Sequence, residues 1–480
     1  MTRLTRHTAA TAALLVLVTT ACTGAKLPKT AGLGAATLDP TYSPGSSPSA
    51  SAAAASAAAA SASKAAGSPG HPGSSGPSLG PVVTTGPAVP PHDVAGDLQL
   101  FAGALNTRGI SANEIKICAH AALTYADAFN TKPSDFNVFW TDLNAKGGIY
   151  GRKVTATYQD DAYDPDQAVT AATNCAGQNP FAILGGIGFD QIPKVREWAE
   201  SHHELYIHHD ATEKGAAGKQ YSFTPIPTVE QLGRMFAQLA ASKFKGKRIG
   251  VLYRDSTYWA PGYEAFKAAA KQYGLTVGKA IAVQNKQAHY GQEMLALQQD
   301  KDDVVWVWEN ALAATEVINQ APPGFRPAYM IFPFNLTTQS IADTTLDIYG
   351  IASWPAYSYH DYSGPFASYA ADIKEFERQY KQWDPNVDLS SLGGDLLFLN
   401  WVAQKALYQA LQQCGSACTR NHFATLLTKF RGTASPNCYN DFPAHGGHLG
   451  SQAVNVFHTY TAPNGKLGWQ PIVRCTEHLV

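Results

Sequence analysis

The stretch Pro180–Asp190 constrains the rest of the chain more than any other. Four apolar residues, Phe181 to Leu184, read as a short buried strand, and Gly185, Gly186 and Gly188 then break it. From Gln191 to Glu200 the apolar residues Ile192, Val195 and Trp198 recur every three residues, which is helical spacing. A strand, a glycine turn and a helix start are how an open α/β sheet builds a ligand site. The crevice lies at the strand's carboxyl end, and N–H groups left free at the helix start hold an anion. The plainer alternative is a βα turn that only packs a helix onto a sheet. The spacing GGxG is not the GxGxxG of a dinucleotide fold, so a nucleotide is disfavoured.

The same alternation runs through much of the chain. Glu114–Cys118 alternates like a strand, and Phe136, Phe139, Trp140 and Leu143 recur at helical spacing as far as Gly147 and Gly148. Val154–Tyr158 is a second strand, Asp166–Gln178 a helix, and Leu205–Ile207 a strand that runs into His208–Thr212. After Pro227 the rhythm restarts. Helices at Glu230–Lys243, Gly262–Tyr273 and Ala311–Gln320 alternate with strands at Arg248–Tyr253, Val304–Trp308 and Ala328–Phe332. Two amphipathic helices follow, Lys374–Gln382 and Phe398–Gln412, and the tail from about Tyr439 reads as short strands. This pattern predicts an α/β fold of two Rossmann-like lobes, each with a parallel sheet covered on both faces.

Composition narrows the function. The 480 residues are 45% hydrophobic, enough for two or more domains. Lys plus Arg number 36 against 37 Asp plus Glu, which gives no electrostatic case for nucleic acid. At the N-terminus Arg3 and Arg6 precede the apolar Ala9–Val18, too short to span a bilayer. With small residues up to Ala21-Cys22, residues 1–21 resemble a bacterial lipoprotein signal, in which Cys22 is lipidated. Thr19 stands where an aliphatic residue is usual, and an ordinary secretory peptide is the alternative. Residues 22–95 are dominated by Ala, Ser, Gly and Pro and cannot bury enough surface to order themselves. They read as a flexible tether with ends roughly 50 Å apart.

Six further cysteines in an exported chain suggest disulfides, for which fifteen pairings exist. Pairing within each region favours Cys118 with Cys175, Cys414 with Cys418, and Cys438 with Cys475.

An ordered set of segments carries a family resemblance. Glu114-Ile-Lys-Ile117, Asn144–Arg152, Tyr158–Pro165, Phe181–Gly186, Arg248–Tyr253 and Asp303–Val305 together resemble the type I periplasmic-binding-protein fold. Within that fold they resemble the substrate-binding proteins of branched-chain-amino-acid-type ABC transporters. The resemblance covers about Gly109 to Lys429, and Ala145–Pro165 is its most specific part. It implies two lobes joined by a three-crossover hinge, near Pro227, near Tyr357 and after Cys438. Lobe 1 is then 109–226 plus 358–438, and lobe 2 is 227–357 plus 439–480.

The site carried over from the family is patchy. Where relatives place a hydroxyl after the opening strand, this chain has Phe189 and Asp190. Ala211 and Thr212 match the family's next loop, after an unusual His208, His209 and Asp210. Tyr258 fits the tyrosine that packs on the ligand, with Trp259 where glycine is common. Asn335 stands where amino-acid-binding relatives keep a carboxylate, and Glu309 is the substitute at another strand end. An ammonium buried without a charge partner costs several kcal/mol. The aromatics Tyr125, Phe189, Tyr258, Trp259 and Trp308 therefore favour an apolar or aromatic ligand over a branched-chain amino acid. Taken singly, each is more often core or lobe-surface packing; together, at strand ends, they favour the ligand.

The expectation is a non-enzymatic, monomeric, lipid-anchored receptor on the extracellular face of the membrane. It delivers a small molecule to an ABC permease, with no cofactor, no metal and no nucleic acid. A sensing or scaffold module of the same fold is the alternative. A metal-dependent enzyme built on His208–Asp210, His360-Asp361 or His445–His448 lacks HExxH, GxSxG or any other catalytic context.

Overall fold

The computed structural model describes residues 96–480 apart from 127–130, 286, 332–340, 342, 355–356, 358–366, 391, 434–437, 462–464 and 466. The signal, Cys22 and the tether lie outside the described residues.

The first sheet has five strands: β1 (Glu114–Ala121), β2 (Lys153–Asp160), β3 (Ala182–Gly185), β4 (Tyr206–Ile207) and β5 (Ser222–Phe223). All are parallel, in the order β2-β1-β3-β4-β5. The connections carry α1 (Leu123–Ala126), α2 (Val138–Ala145), α3 (Pro165–Gly177), α4 (Ile192–Ser201) and α5 (Glu213–Ala216). Asp164 starts α3 as its N-cap, accepting from the N–H groups of Asp166 and Gln167 at 2.9 Å, with Pro165 in the first turn. One sheet face lies under α3 and α4, where Cys118, Ile183 and Tyr206 pack with Ala168, Ala172 and Val195.

The chain continues through α6 (Val229–Lys243), β6 (Arg248–Arg254), α7 (Ala260–Gln272), β7 (Thr276–Val283), α8 (Gly291–Gln299), β8 (Val304–Trp308), α9 (Ala311–Asn319), β9 (Ala328–Ile331) and β10 (Ile348–Ala352). Next come α10 (Ala367–Trp383), α11 (Leu392–Cys414), α12 (Arg420–Lys429), a small ribbon of β11 (Arg431–Thr433) and β12 (Tyr439–Asp441), and finally β13 (Val454–Thr461) and β14 (Leu467–Thr476).

The second sheet has seven strands in the order β14-β13-β10-β9-β8-β6-β7. β8, the run Val-Val-Trp-Val-Trp, is buried at every position and lies inside the sheet between β9 and β6. That is what a continuous apolar strand covered on both faces requires. The parallel arrangement holds from β7 to β10 and is amended at one edge. β13 runs antiparallel to β10, and β14 antiparallel to β13. The short connection from β13 to β14 can return a strand only in the antiparallel sense, whereas the chain reaches β13 from β10 only after passing through α10, α11 and α12. The tail's strands are also longer than its composition suggests, at eight and ten residues. β7 escapes a reading based on apolar runs because it is an edge strand with much of its surface exposed.

The chain passes between the two sheets after β5, after β10 and after β12, and these passages bond to one another. Thr224 N–H donates to the His448 carbonyl at 2.9 Å, and Gly450 N–H to the Thr224 carbonyl at 2.7 Å. Cys438 N–H donates to the Ser353 carbonyl at 2.9 Å. Position 450 requires glycine, since a Cβ there would stand 2.1 Å from Asn440 Oδ1.

Among the described residues, disulfides join Cys118–Cys175, Cys414–Cys418 and Cys438–Cys475. No described helix is long and apolar enough to cross a membrane. The first described residues are held by α12: Leu98 N–H donates to Thr425 Oγ1 at 2.7 Å, and His422 pairs with Asp97 at 3.0 Å.

Candidate functional site

The carboxyl ends of both sheets deliver side chains to one place. β3 leads into Phe189 and Asp190, and β4 into His208–Thr212. β6 ends on Arg254 and leads into Ser256, Tyr258 and Trp259, and β8 into Glu309. Strand ends of open α/β sheets are where ligands sit.

Arg254 is the centre of the arrangement. It is 1% exposed. Its Nε donates to Glu309 Oε1 at 2.8 Å and its Nη2 lies 2.7 Å from Oε2, a bidentate pair within the second sheet. Its Nη1 pairs with Asp190 of the first sheet and lies 3.4 Å from the Tyr163 hydroxyl. The guanidinium stands 5.7 Å from the Tyr163 ring centre and 6.0 Å from that of Trp259, within cation–π range. Ser256 donates to the other Asp190 oxygen at 2.5 Å. Burial alone favours loss of the Arg254 proton, but Tyr163, Glu309 and Asp190 outweigh it and hold the guanidinium charged. Burial pushes the Glu309 carboxyl up, and Arg254 opposes that.

Aromatic rings close around this cluster. Phe189 lies 5.5 Å from Tyr258 and 5.1 Å from Trp259, and Tyr125 lies 4.9 Å from Tyr163. Tyr258 donates to Asp210 Oδ1 at 2.9 Å, a second link between the sheets. Trp308 instead faces the core, its Nε1 donating to the Trp259 carbonyl at 2.7 Å.

The structure thus brings together Tyr125, Phe189, Asp190, Tyr258, Trp259 and Glu309, with Asp210 attached through Tyr258. Ala211 is buried beside them, its carbonyl accepting from Val229 N–H at 3.0 Å. The Thr212 hydroxyl accepts from Gly215 N–H at 2.8 Å as the N-cap of α5. Asn335 lies outside the described residues, as does His360-Asp361. Arg254, Tyr163 and Ser256 escape the sequence reading. Arg254 carries a usable signal: a lone cation closing an apolar strand at its carboxyl end.

The glycine turn is filled from within. Gly186 N–H donates to the His120 carbonyl at 2.7 Å, so this N–H is not free for an anion. Gly185 leaves the space that the His208 ring occupies; a Cβ there would stand 1.5 Å from His208 Cδ2. His208, His209 and Asp210 bring ligand-type atoms within 4.8 Å of one another. Both His208 nitrogens are engaged, however. Nδ1 accepts from Asp210 N–H at 2.8 Å, and Nε2 therefore carries the proton and donates to the Gly186 carbonyl at 3.2 Å. Burial, then His209 and His120, keeps this imidazole neutral, well below its usual range. Beside it His120 bridges Asp161 and the Tyr206 hydroxyl, each at 2.8 Å, in a fully buried chain.

Comparison with known proteins follows this geometry. The family model described as periplasmic binding protein matches residues 136–460. The Leu/Ile/Val-binding protein of Escherichia coli is 31% identical over 144 residues, 30% of this chain and 38% of that protein. The chain spans less than half the length of the curated relatives it matches. Among solved structures, a fatty acid ABC transporter substrate-binding protein from Thermomonospora curvata superposes with a TM-score of 0.62 at 18% identity, over 77% of this chain and 94% of that one. A solute-binding protein of an ABC transporter from Rhodopseudomonas palustris, in complex with 3,4-dihydroxybenzoic acid, gives 0.61 at 14% identity over 76% and 98%. With a family match over most of its length and two sheets whose strand ends meet at one cluster, the chain belongs to the periplasmic binding protein family and has its type I fold.

Proposed function

We propose that the protein is a solute-binding receptor that closes two lobes on a small apolar or aromatic molecule and delivers it to an ABC permease. The observation that carries this reading is Arg254, held between Asp190 of the first sheet and Glu309 of the second. Two strand-end loops that share one buried cation form a latch, and a latch suits a cleft that opens and shuts. A carboxylate ligand is recognised by taking the place of Asp190 on the guanidinium, while Phe189, Tyr258 and Trp259 pack its apolar body. An α-amino acid is disfavoured, because its ammonium would have to draw Glu309 away from Arg254. Names among the relatives and neighbours span branched-chain amino acids, aromatic acids and fatty acids, so they support the class of activity and leave the ligand to chemistry. Export, a lipid anchor at Cys22 and a monomeric state complete the proposal.

A scaffold that binds nothing is the second reading, favoured by the saturation of Arg254 with the protein's own carboxylates. A thermal-shift panel of amino acids, aromatic acids, alkyl acids and sugars on the full chain separates the two. A ligand at a thousand times its Kd stabilises by about 4 kcal/mol. A shift with aromatic or alkyl acids supports the receptor, a shift confined to branched-chain amino acids overturns the ligand class, and no shift with any compound favours the scaffold.

A further inference from the structure

A second space lies within the first-sheet half of the molecule. Its floor is a single register row: Tyr158 pairs with Ala119, Ala119 with Leu184, Leu184 with Ile207 and Ile207 with Phe223. Register partners in a parallel sheet point to the same side, so these five side chains form one surface, opposite the face that α3 and α4 cover. The roof is α11. Leu399, Ala403, Ala406 and Ala410 line the space at helical spacing, and three of the four are too small to fill it. Gly186 and His209 line it as well, next in the chain to the cleft loops that carry Phe189, Asp190 and Asp210. Trp354 lines it beside His209, the two ring centres 6.2 Å apart.

The size and apolar lining suit a particular occupant. The cavity measures ≈ 90 Å³ as room for the centres of water-sized molecules. Drawn out along the ~16 Å that α11 rises from Leu399 to Ala410, that volume would form a bore of roughly 5 Å. A bore of that width would take an unbranched alkyl chain in single file. The wall also holds two buried acceptors without a partner, Gln404 Oε1 and Asn440 Oδ1. Gln404 is fixed in this sense because its Nε2 already donates to the Phe136 carbonyl at 2.7 Å and to the Tyr158 hydroxyl at 2.9 Å. A buried acceptor left unmade points to a donor supplied from outside, such as the hydroxyl of an alcohol; an ionised acid carries no such donor, and its carboxylate would lie toward the cleft instead.

We infer that this cavity is a binding site for the unbranched aliphatic chain of a long-chain acid or alcohol, whose polar end lies toward the cleft. The inference rests on the receptor reading and names the ligand class for it.

The test is calorimetric titration of the full chain, stripped of co-purifying lipid, with hexanoate, decanoate and palmitate and with the matching alkanols. Each added methylene is expected to tighten binding roughly four-fold until the bore is full. Ala406→Phe, which puts a ring into the bore, is expected to weaken decanoate binding at least ten-fold. Ala410→Phe, nearer the end of α11, shortens the longest chain accepted and spares hexanoate, so one variant remains informative if the other fails to fold. Alkanoates binding in preference to alkanols identify an acid, and the reverse an alcohol. Affinity independent of chain length, or unchanged in both folded variants, overturns the inference. If aromatic acids still bind in that case, the receptor reading survives without the cavity; if nothing binds at all, both fall.

Discussion

Asp190 and Arg254 belong to different sheets, yet they form a buried ion pair in which the arginine is shared with Glu309. A charge pair of this kind adds little net stability compared with a well-packed apolar substitute, but removing one member leaves the others stranded without water. Arg254→Ala is therefore expected to lower unfolding stability by about 3–5 kcal/mol. Asp190→Asn leaves Arg254 paired with Glu309 and should cost less. Urea midpoints at constant m measure both. A loss for Arg254→Ala below about 1 kcal/mol would mean that water reaches the cluster.

Thr212 separates a helix cap from a ligand contact. Its hydroxyl serves the N–H of Gly215. Thr212→Ala is expected to cost about 1 kcal/mol of stability and to leave affinity for any acid identified by the panel unchanged. A drop in affinity larger than the stability loss would return Thr212 to the ligand.

Asp302 gives the protein a pH-dependent weakness away from the cleft. Burial, and after it the adjacent Asp300, push its carboxyl from 3.8 up to about 6. A carboxyl raised on folding stabilises the native state when protonated. That contribution is complete below about pH 4 and is lost as the pH rises through about 6. Asp302→Asn keeps the shape and removes the charge. Its advantage over the wild type should grow by on the order of 1–3 kcal/mol between acid and neutral pH, read as the difference in Tm. A constant difference across that range would place the titration elsewhere.

The disulfides should differ in weight. Cys438–Cys475 closes a separation of 37 residues and Cys414–Cys418 one of 4. Loop entropy gives about 4 kcal/mol for the first and about 2 kcal/mol for the second. Replacing each pair by serines should therefore lower Tm more for Cys438–Cys475, and calorimetry decides the order.

The strand ends were legible because apolar runs stop where the chain leaves the sheet. The family resemblance, together with where such runs end, puts Phe189, Asp190, Tyr258, Trp259 and Glu309 in one crevice. What those residues do there was less legible. Arg254 looks like any solvated cation until Asp190 arrives from the other sheet, a contact between positions 64 residues apart. The glycine turn reads as an anion cradle because sequence does not show that the His120 carbonyl takes the Gly186 N–H. β7 was missed because an edge strand keeps polar residues and its hydrophobic signal is weak; the tail's strands were legible, but their antiparallel sense was not. The lobe cavity left a trace in the small residues Ala403, Ala406 and Ala410, but an alanine stripe reads equally as tight helix packing.

The three passages between the sheets are stitched side by side through Thr224, Ser353, Cys438, His448 and Gly450. Bonded in this way, they behave as a flat spring. Such a strip flexes easily across its width and resists shear and torsion, because either would break its transverse bonds. If the molecule opens as proposed, the motion is a swing about one axis that returns Asp190 to the same face of Arg254 each time. Gly450 has no room to become any other residue without wedging that strip apart, so a substitution there would misalign a latch on which it has no direct contact.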